Sequence, residues 1–255
     1  MSALDDLVRP GEYPLASRYD QSWVLGLDMG PHPLWLLEDL LRDLDLEPGM
    51  RVLDLGSGGG ATSVFLAREA GVEVFAVDLW VEPDGPARVF AEAGVGGRVH
   101  ALKGDARALP FAAEYFDAVV SIDAFEYFGT GDDYLPYLLR YLKTGGAIGI
   151  ATPALARGVD DLGGIPPHIA RCVGWEAAAW HTAEWWRSRW EATGLVTVDA
   201  ARLQAGGWHD WVLWTRACLE QGAGDPAVLE DVLRMLEADA GELLTFALVA
   251  ARKRA

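Results

Sequence analysis

A pair of glycines follows a short apolar segment early in the chain, and an acidic residue stands twenty positions further on. Gly56 and Gly58 come directly after residues 52–55, which read as a strand, and a helical pattern follows over residues 61–70. A glycine turn between strand and helix lets the backbone approach a ligand, and the helix start offers free N–H groups. Asp78 has the spacing at which an acid can accept hydrogen bonds from ribose hydroxyls. This pattern predicts a nucleoside-containing cofactor at the turn.

The glycine turn fits two kinds of cofactor. Gly56, Gly58 and Ala61 have the spacing of the dinucleotide fingerprint, which makes an NAD-binding oxidoreductase of the Rossmann type one interpretation. Asp54 stands two residues before the first glycine, where a carboxylate could face a positively charged ligand. The choice therefore depends on motifs further along the chain.

Further motifs follow at the ends of later strand-like segments. A third segment ends in residues 104–106, Gly-Asp-Ala, and is followed by residues 108–111 and by the β-rich residues 116–121. With the glycine turn and Asp78, these motifs resemble those of class I S-adenosylmethionine-dependent methyltransferases, especially small bacterial members akin to the quinone-biosynthesis C-methyltransferases. The resemblance covers about residues 51–152. It implies S-adenosylmethionine as the cofactor and a methyl transfer to a small-molecule acceptor by in-line displacement.

The resemblance implies a role for four residues at the methionine end of the cofactor. Gly56 and Gly58 would lie against the methionine part, with Asp54 nearby. Ser121, at the end of the fourth strand, would face the sulfonium. Ligands of open parallel sheets lie at the carboxyl ends of the strands, where all of these motifs fall.

The nucleoside end would be held by residues after the second and third strands. Asp78 would hold the ribose hydroxyls, and Leu79 with Trp80 would pack on the adenine. Asp105 would accept from the adenine amino group while the Ala106 N–H points at a ring nitrogen. Taken singly, Asp78 could merely cap the next segment and Asp105 could be a turn residue, since Gly-Asp favours turns.

Methyl transfer requires alignment of two reactants more than it requires a fixed set of catalytic side chains. A base is needed only when the acceptor must lose a proton. The candidates are Asp123, Glu126 and His168. Asp123 or Glu126 could equally be an acid favoured in the first turn of a helix, and His168 an ordinary loop histidine.

Strand-like and helical segments alternate along the chain, which predicts an α/β fold with right-handed crossovers. We expect a Rossmann-like, seven-stranded, mostly parallel sheet with helices on both faces and helical or irregular cap insertions. The resemblance implies that the last strand is antiparallel and inserted between the fifth and the sixth. The predicted strands are residues 52–55, 72–77, 98–103, 116–122, 147–151, 195–203 and 243–251. The predicted helices are residues 34–46, 61–70, 132–143, 182–193 and 208–220, and one opened by Asp225-Pro226; the stretch up to about residue 174 after the fifth strand reads as irregular.

The resemblance implies that residues 1–33 form a lid, since such a segment often closes over the cofactor in this family; Tyr19 or Trp23 could then contact the cofactor. A poorly ordered leader is the alternative, but it would carry fewer aromatic residues. Residues 34–255 form the predicted methyltransferase domain, in which residues 154–193 and 204–240 are expected as substrate-side insertions. These two insertions, with the strand between them, hold eight of the 11 tryptophans: Trp175, Trp180, Trp185, Trp186, Trp190, Trp208, Trp211 and Trp214. Their helical spacing favours core packing, while a pocket wall for at least one of them stays open.

Composition limits the classes of partner. With 38 acidic and 21 basic residues, a net charge of -17 disfavours a nucleic-acid substrate. The two cysteines, Cys172 and Cys218, have neither disulfide-framework nor zinc-site spacing, and no His/Asp/Glu cluster suggests a metal. No apolar run reaches the roughly 20 residues of a membrane span, so a cytoplasmic protein is expected. Oligomeric state is left open, as is a catalytically inactive protein that keeps the fold.

Overall fold

The computed structural model describes residues 3–27 and 29–255; residues 1, 2 and 28 of the predicted lid lie outside the described residues. Seven strands form one sheet. They are β1 (Arg51–Leu55), β2 (Glu73–Asp78), β3 (Val99–Lys103), β4 (Phe116–Ile122), β5 (Leu142–Leu155), β6 (Val196–Leu203) and β7 (Leu244–Lys253). All seven predicted strands are present, although β5 is much longer than residues 147–151.

The strand order is β3-β2-β1-β4-β5-β7-β6. The first five strands in this order pair in parallel, and β7 is antiparallel to both β5 and β6. The predicted topology, with an antiparallel last strand inserted between the fifth and sixth, is confirmed. From β1 the chain adds β2 and β3 in one direction across the sheet, and from β4 it adds β5 in the other. Ligands of such sheets bind where the order reverses in this way, here between β1 and β4.

Eleven α-helices are found among the described residues. They are α1 (Ala3–Asp6), α2 (Gln21–Leu25), α3 (Pro33–Leu40), α4 (Ala61–Phe65), α5 (Asp84–Glu92), α6 (Tyr134–Leu138), α7 (Val159–Leu162), α8 (Pro167–Val173), α9 (Ala183–Ala192), α10 (Gly207–Gln221) and α11 (Pro226–Asp239). The Asp225 carboxylate accepts from the Ala227 N–H, so the predicted start of α11 is confirmed.

The sheet is buried on both faces, as its apolar strands require. One core packs α3, α4, α10 and α11 with the N-terminal segment on one face, and the other packs α6 and α9 on the opposite face. Successive residues of β4 alternate between them: Ala118 and Val120 face the first core, Val119 the second. The carboxyl ends of the parallel strands are left for a ligand.

Three predicted segments differ from the structure. The predicted helix over residues 132–143 ends at Leu138, because Leu142 is buried and already pairs with Phe116 in the sheet. α5 was not predicted; it mixes charged and apolar residues and buries only Pro86 and Phe90. The irregular stretch before residue 174 contains the short helices α7 and α8.

The N-terminal segment is docked on the body of the protein. Arg9 and Tyr13 both donate to the carboxylate of Asp210 in α10. The buried Glu38 accepts from the N–H groups of Leu15 and Ala16, at 2.9 and 2.7 Å. These bonds between distant parts of the sequence hold the segment that precedes α3 in place.

Most of the eight tryptophans are packed in the cores. Trp186, Trp190 and Trp214 are almost completely buried, whereas Trp175 is 75% exposed. Trp186 and Trp190 both contact the ring of Phe125, with centroids 5.7 and 6.0 Å away. The expectation of core packing is confirmed for these residues.

Replacing Trp186 tests the importance of this aromatic core. We expect Trp186→Ala to lower the free energy of unfolding by about 3–5 kcal/mol, because it removes buried apolar area and leaves a cavity. Trp175→Ala, the matched control at an exposed position, should change it by less than about 0.5 kcal/mol. Urea unfolding followed by far-UV circular dichroism measures both. Equal losses in the two variants would contradict the packing described here.

Candidate active site

A cavity of about 340 Å³ opens at the carboxyl ends of β1, β2, β3 and β4. It brings together the glycine loop after β1, the loop after β2, and residues after β3 and β4. Its wall includes these predicted site residues: Gly56, Gly58, Asp78, Leu79, Trp80, Asp105, Ala106 and Asp123. Three predicted site residues, Asp54, Ser121 and His168, are not part of the wall.

The loop after β1 needs glycine at its first position. Gly56 has a φ of 79°, in the left-handed region, and a Cβ built there would lie 2.3 Å from the Ala124 Cβ. A side chain at position 56 would therefore clash with the loop that follows β4. The absence of that side chain brings the ends of β1 and β4 into contact at the cavity.

Asp78 ties the glycine loop to the loop after β2. Its Oδ2 accepts from the Gly58 N–H at 2.9 Å, and its Oδ1 accepts from the N–H groups of Trp80 and Val81 at 2.8 and 2.9 Å. A carboxylate has about four acceptor positions, so three bonds leave capacity for a ligand hydroxyl. Asp78 thus fixes the loops and presents an acceptor to the cavity.

Apolar side chains beside Asp78 are unusually exposed. Leu79 is 44% and Trp80 66% exposed, and both line the cavity. The Trp80 ring meets the Tyr127 ring edge to face, with centroids 5.8 Å apart. Exposed apolar surface in a cavity that also carries a few polar groups is typical of a binding site for a planar ligand group.

Asp105 is paired with Arg107, a wall residue that was not predicted. The guanidinium donates to both carboxylate oxygens, at 2.9 and 2.8 Å, and these bonds lower the pKa of Asp105. Within residues 3–27 and 29–255, the neighbouring Ala106 N–H has no acceptor, and the Ala106 carbonyl accepts from Tyr134. The sequence could have indicated Arg107 as a wall residue, because it stands two residues after the predicted site residue Asp105.

Asp54 lies under the glycine loop, completely buried. Its Oδ2 accepts from the hydroxyls of Thr62 and Ser63, each at 2.6 Å, while its Oδ1 has no partner among the described residues. Burial raises the pKa of Asp54 to about 6, and the two hydroxyls partly oppose this. The carboxylate therefore lies behind the cavity wall and is not part of it.

The expected position of Ser121 is wrong. Its buried hydroxyl donates to the Leu55 carbonyl at 2.7 Å and links β4 to β1. The next residue, Ile122, lines the cavity instead. A strand buried on both faces gives no polarity pattern that would show which of two neighbours faces the ligand.

Asp123 is the acidic residue that the loop after β4 presents to the cavity. It has a φ of 52°, uncommon for a residue other than glycine, and its N–H donates to the Ala151 carbonyl at 2.8 Å. Glu126 is buried behind the wall, where its carboxylate accepts from Thr152 at 2.7 Å. Burial raises the pKa of Glu126 to about 7. Tyr127, which also lines the cavity, has its phenol pKa raised by burial and by nearby carboxylates.

His168 does not reach the cavity. It lies on α8, with Nε2 3.3 Å from Oδ1 of Asp239 at the end of α11, and lines a separate space of about 240 Å³. The two spaces share no wall residue. The expectation that His168 is a base at this site is therefore wrong, because the chain after β5 turns away to pack on α11.

Residues just before α3 cover the cavity. Leu27, Met29, Gly30, Pro31 and Pro33 all line it, so part of the predicted lid lies where a lid would act. The contacts expected from two other lid residues are wrong: Tyr19 donates to Glu69 and stacks on Trp23, and neither is in the wall. The sequence signal for the segment that does line the cavity is Gly30-Pro31 followed by Pro33.

The two predicted insertions contribute no wall residue. None of residues 154–193 or 204–240 lines the cavity, so their expected location on the substrate side is not matched. They pack on the sheet and on the N-terminal segment instead.

Among the described residues, there is no cluster of His, Cys, Asp or Glu that could hold a metal ion. None of the described helices is both long and apolar enough to cross a membrane.

Comparison with known proteins identifies the family. A family described as a methyltransferase domain matches residues 52–146. The demethylmenaquinone methyltransferase of Clavibacter sepedonicus is 30% identical over 210 residues, covering 75% of this chain and 83% of that protein. The chain belongs to the S-adenosylmethionine-dependent methyltransferases. The predicted family is confirmed.

Other methyltransferases show how far the likeness extends. A solved S-adenosylmethionine-dependent methyltransferase from Geobacter sulfurreducens, in complex with S-adenosylhomocysteine, is 25% identical with a TM-score of 0.61; the match covers 86% of this chain and 90% of that one. The sterol 24-C-methyltransferase of Gibberella zeae is 30% identical over 112 residues, 44% of this chain and 30% of that protein. The chain spans less than half the length of several of the curated relatives that it matches.

The pH dependence of stability tests whether the pKa of the Asp54 carboxyl is raised in the folded protein. Because its folded-state pKa of about 6 lies above the ordinary 3.8, the folded protein binds the extra proton, and stability falls as pH rises from about 4 to 6. We expect the loss in the free energy of unfolding over this pH range to be about 1–3 kcal/mol smaller in Asp54→Asn than in wild type. Urea unfolding at pH 4 and pH 7 measures it, with the exposed Asp84→Asn as control. A profile parallel to that of wild type would show that Asp54 ionises normally.

Proposed function

We propose that this protein binds S-adenosylmethionine in the cavity at the carboxyl edge of the sheet and transfers its methyl group to a small-molecule acceptor. The observation that carries the proposal is the convergence of four separate sequence motifs on one cavity: the glycine loop, Asp78 with Leu79 and Trp80, Asp105 with Ala106, and Asp123. Family membership supports the same reaction.

The residues present fit this cofactor. Asp78 has remaining acceptor capacity for a ribose hydroxyl, and the exposed faces of Leu79 and Trp80 suit the adenine ring. The Ala106 N–H, which has no acceptor in the part of the chain that the structure describes, suits a ring nitrogen, and Asp105 suits the adenine amino group. The loop of Gly56 and its neighbours would carry the methionine part. When bound, the cofactor supplies an electrophilic methyl group on a sulfonium whose leaving group is a neutral thioether.

The glycine loop argues against the nicotinamide alternative. A dinucleotide site offers loop and helix N–H groups to a pyrophosphate. Here the Gly56 N–H donates to the Val77 carbonyl at 2.8 Å, the Gly58 N–H to Asp78 at 2.9 Å, and the Gly60 N–H to Ser57 at 2.9 Å. Among the described wall residues there are three carboxylates and one guanidinium, a balance that repels a pyrophosphate and attracts a sulfonium.

Removing the Asp78 carboxylate tests the cofactor site. We expect Asp78→Ala to weaken binding of S-adenosylhomocysteine by about 1–3 kcal/mol, a factor of about 5 to 150, through loss of a charged acceptor for the ribose. Calorimetry measures the Kd, and Asp84→Ala is the matched control outside the wall. Unchanged affinity in a folded Asp78 variant would rule out the ribose role. Tight binding of NAD(H) by wild type, with none of S-adenosylhomocysteine, would overturn the proposed function.

We assign the acceptor side of the cavity to the loop after β4. Asp123, Tyr127 and Phe128 line it together with the segment before α3, and Asp123 is the group placed to receive a proton or a hydrogen bond from the acceptor. Its unusual backbone conformation is of the kind that clusters at active sites. The basic residue of the described wall, Arg107, is already paired with Asp105. The acceptor is therefore neutral or cationic, and not a nucleic acid.

Asp123 can be separated from cofactor binding. Formation of S-adenosylhomocysteine from S-adenosylmethionine is measured across a panel of amines, phenols, enolisable ketones and thiols. With any acceptor so found, we expect Asp123→Asn to lower kcat by about 100-fold or more, because the proton acceptor is lost. Its Kd for S-adenosylhomocysteine should stay within about twofold of wild type. The exposed Asp133→Asn is the control. Full activity of the Asp123 variant would remove Asp123 from the reaction, and no turnover with any acceptor would favour an inactive protein.

A further inference from the structure

The segment of residues 29–33, here called the roof, is tied to a helix far away in the sequence. Gly30 of the roof offers its carbonyl to the indole N–H of Trp214 in α10, at 2.8 Å. The Trp214 side chain is almost fully buried, and the bond is partly buried. Trp214 does not itself line the cavity.

The roof is also fixed through His32. The His32 ring stacks on Trp35 with centroids 4.0 Å apart at 6°, and lies 4.4 Å from the Trp214 ring. Its Nδ1 accepts from the Trp35 N–H at 3.2 Å, which leaves Nε2 to donate to Gln21 Oε1 at 3.0 Å. Burial lowers the pKa of His32 to about 3, so the ring stays neutral. His32 and Trp214 together hold the prolines on either side of His32.

Small displacements of the roof would be felt in the cavity. A Cβ built on Gly30 would lie 2.1 Å from Oδ2 of Asp123, so the roof backbone touches the acceptor-side carboxylate. A Cβ built on Gly58 would lie 3.0 Å from the Met29 sulfur, so the roof also covers the glycine loop. The roof therefore contacts both the cofactor side and the acceptor side of the cavity.

We infer that Trp214 is a positioning residue: its N–H bond to Gly30 sets the roof over the cavity and slows the escape of bound cofactor. The identity of the bound cofactor in this inference rests on the proposed function, whereas the contact between Trp214 and Gly30 does not. The helix α10 has no residue in the wall, and Trp214 reaches the cavity through its bond to the roof. Removing this hydrogen bond is expected to loosen the roof without changing any group that lines the cavity.

Trp214→Phe removes the N–H while keeping an aromatic ring. Trp208→Phe is the matched control, because Trp208 lies on the same helix and donates an equivalent bond to the Leu236 carbonyl at 2.9 Å, away from the cavity. The ligand-free proteins are compared by hydrogen exchange of the peptide covering residues 29–36. We expect faster exchange there in Trp214→Phe only. Equal exchange in the two variants would overturn the inference, whatever the ligand.

The same variants are then compared in the dissociation of tritiated S-adenosylhomocysteine chased with unlabelled ligand. We expect dissociation to be about two- to tenfold faster in Trp214→Phe, as for loss of one hydrogen bond, and unchanged in Trp208→Phe. An unchanged rate in Trp214→Phe, with wild type binding the ligand, overturns the role in retention and leaves the proposed function standing. Failure of wild type to bind contradicts both.

Discussion

The site depends on the three hydrogen bonds that the Asp78 carboxylate accepts. One comes from the glycine loop after β1, and two come from the loop after β2. Parallel pairing of β1 and β2 places both loops at one edge of the sheet, but pairing alone leaves their conformations free. With the carboxylate between them, the loops are held in one arrangement and the acidic group is kept at the cavity surface. Loss of Asp78 would therefore affect both the shape and the charge of the site.

Much of this arrangement could be predicted from the sequence because it is encoded locally. Strand, glycine and helix signals stand next to one another between residues 51 and 70, and the acids at 78 and 105 each follow a strand. Parallel topology then forces the ends of these strands together. Spacing along the chain is sufficient for such residues, since their position depends on where a strand stops.

The misplaced residues depend on information that is not local. Ser121 and Ile122 are neighbours in a strand buried on both faces, and the direction of each side chain is set by the register with β1 and β5. His168 follows β5 along the chain, but its helix packs on α11, which lies more than fifty residues later. The contact between Trp214 and Gly30 joins residues 184 positions apart. Periodicity predicts that such residues are buried, but not which partner they meet.

Two acidic groups lie behind the cavity wall, and their ionisation would depend on the charge of a bound ligand. Asp54 and Glu126 are buried carboxylates whose pKa values are raised to about 6 and 7, because water is excluded around them. A cation near such a group favours its ionised form, and the ionised group in turn favours the cation. Asp54 lies directly beneath the loop proposed to carry the methionine part, and its Oδ1 has no partner among the described residues. A positively charged sulfonium would therefore offset part of the cost of ionising Asp54, whereas a neutral thioether would not. The methyl donor and the product cofactor differ by this charge, so an ionised Asp54 would attract the donor more strongly than the product.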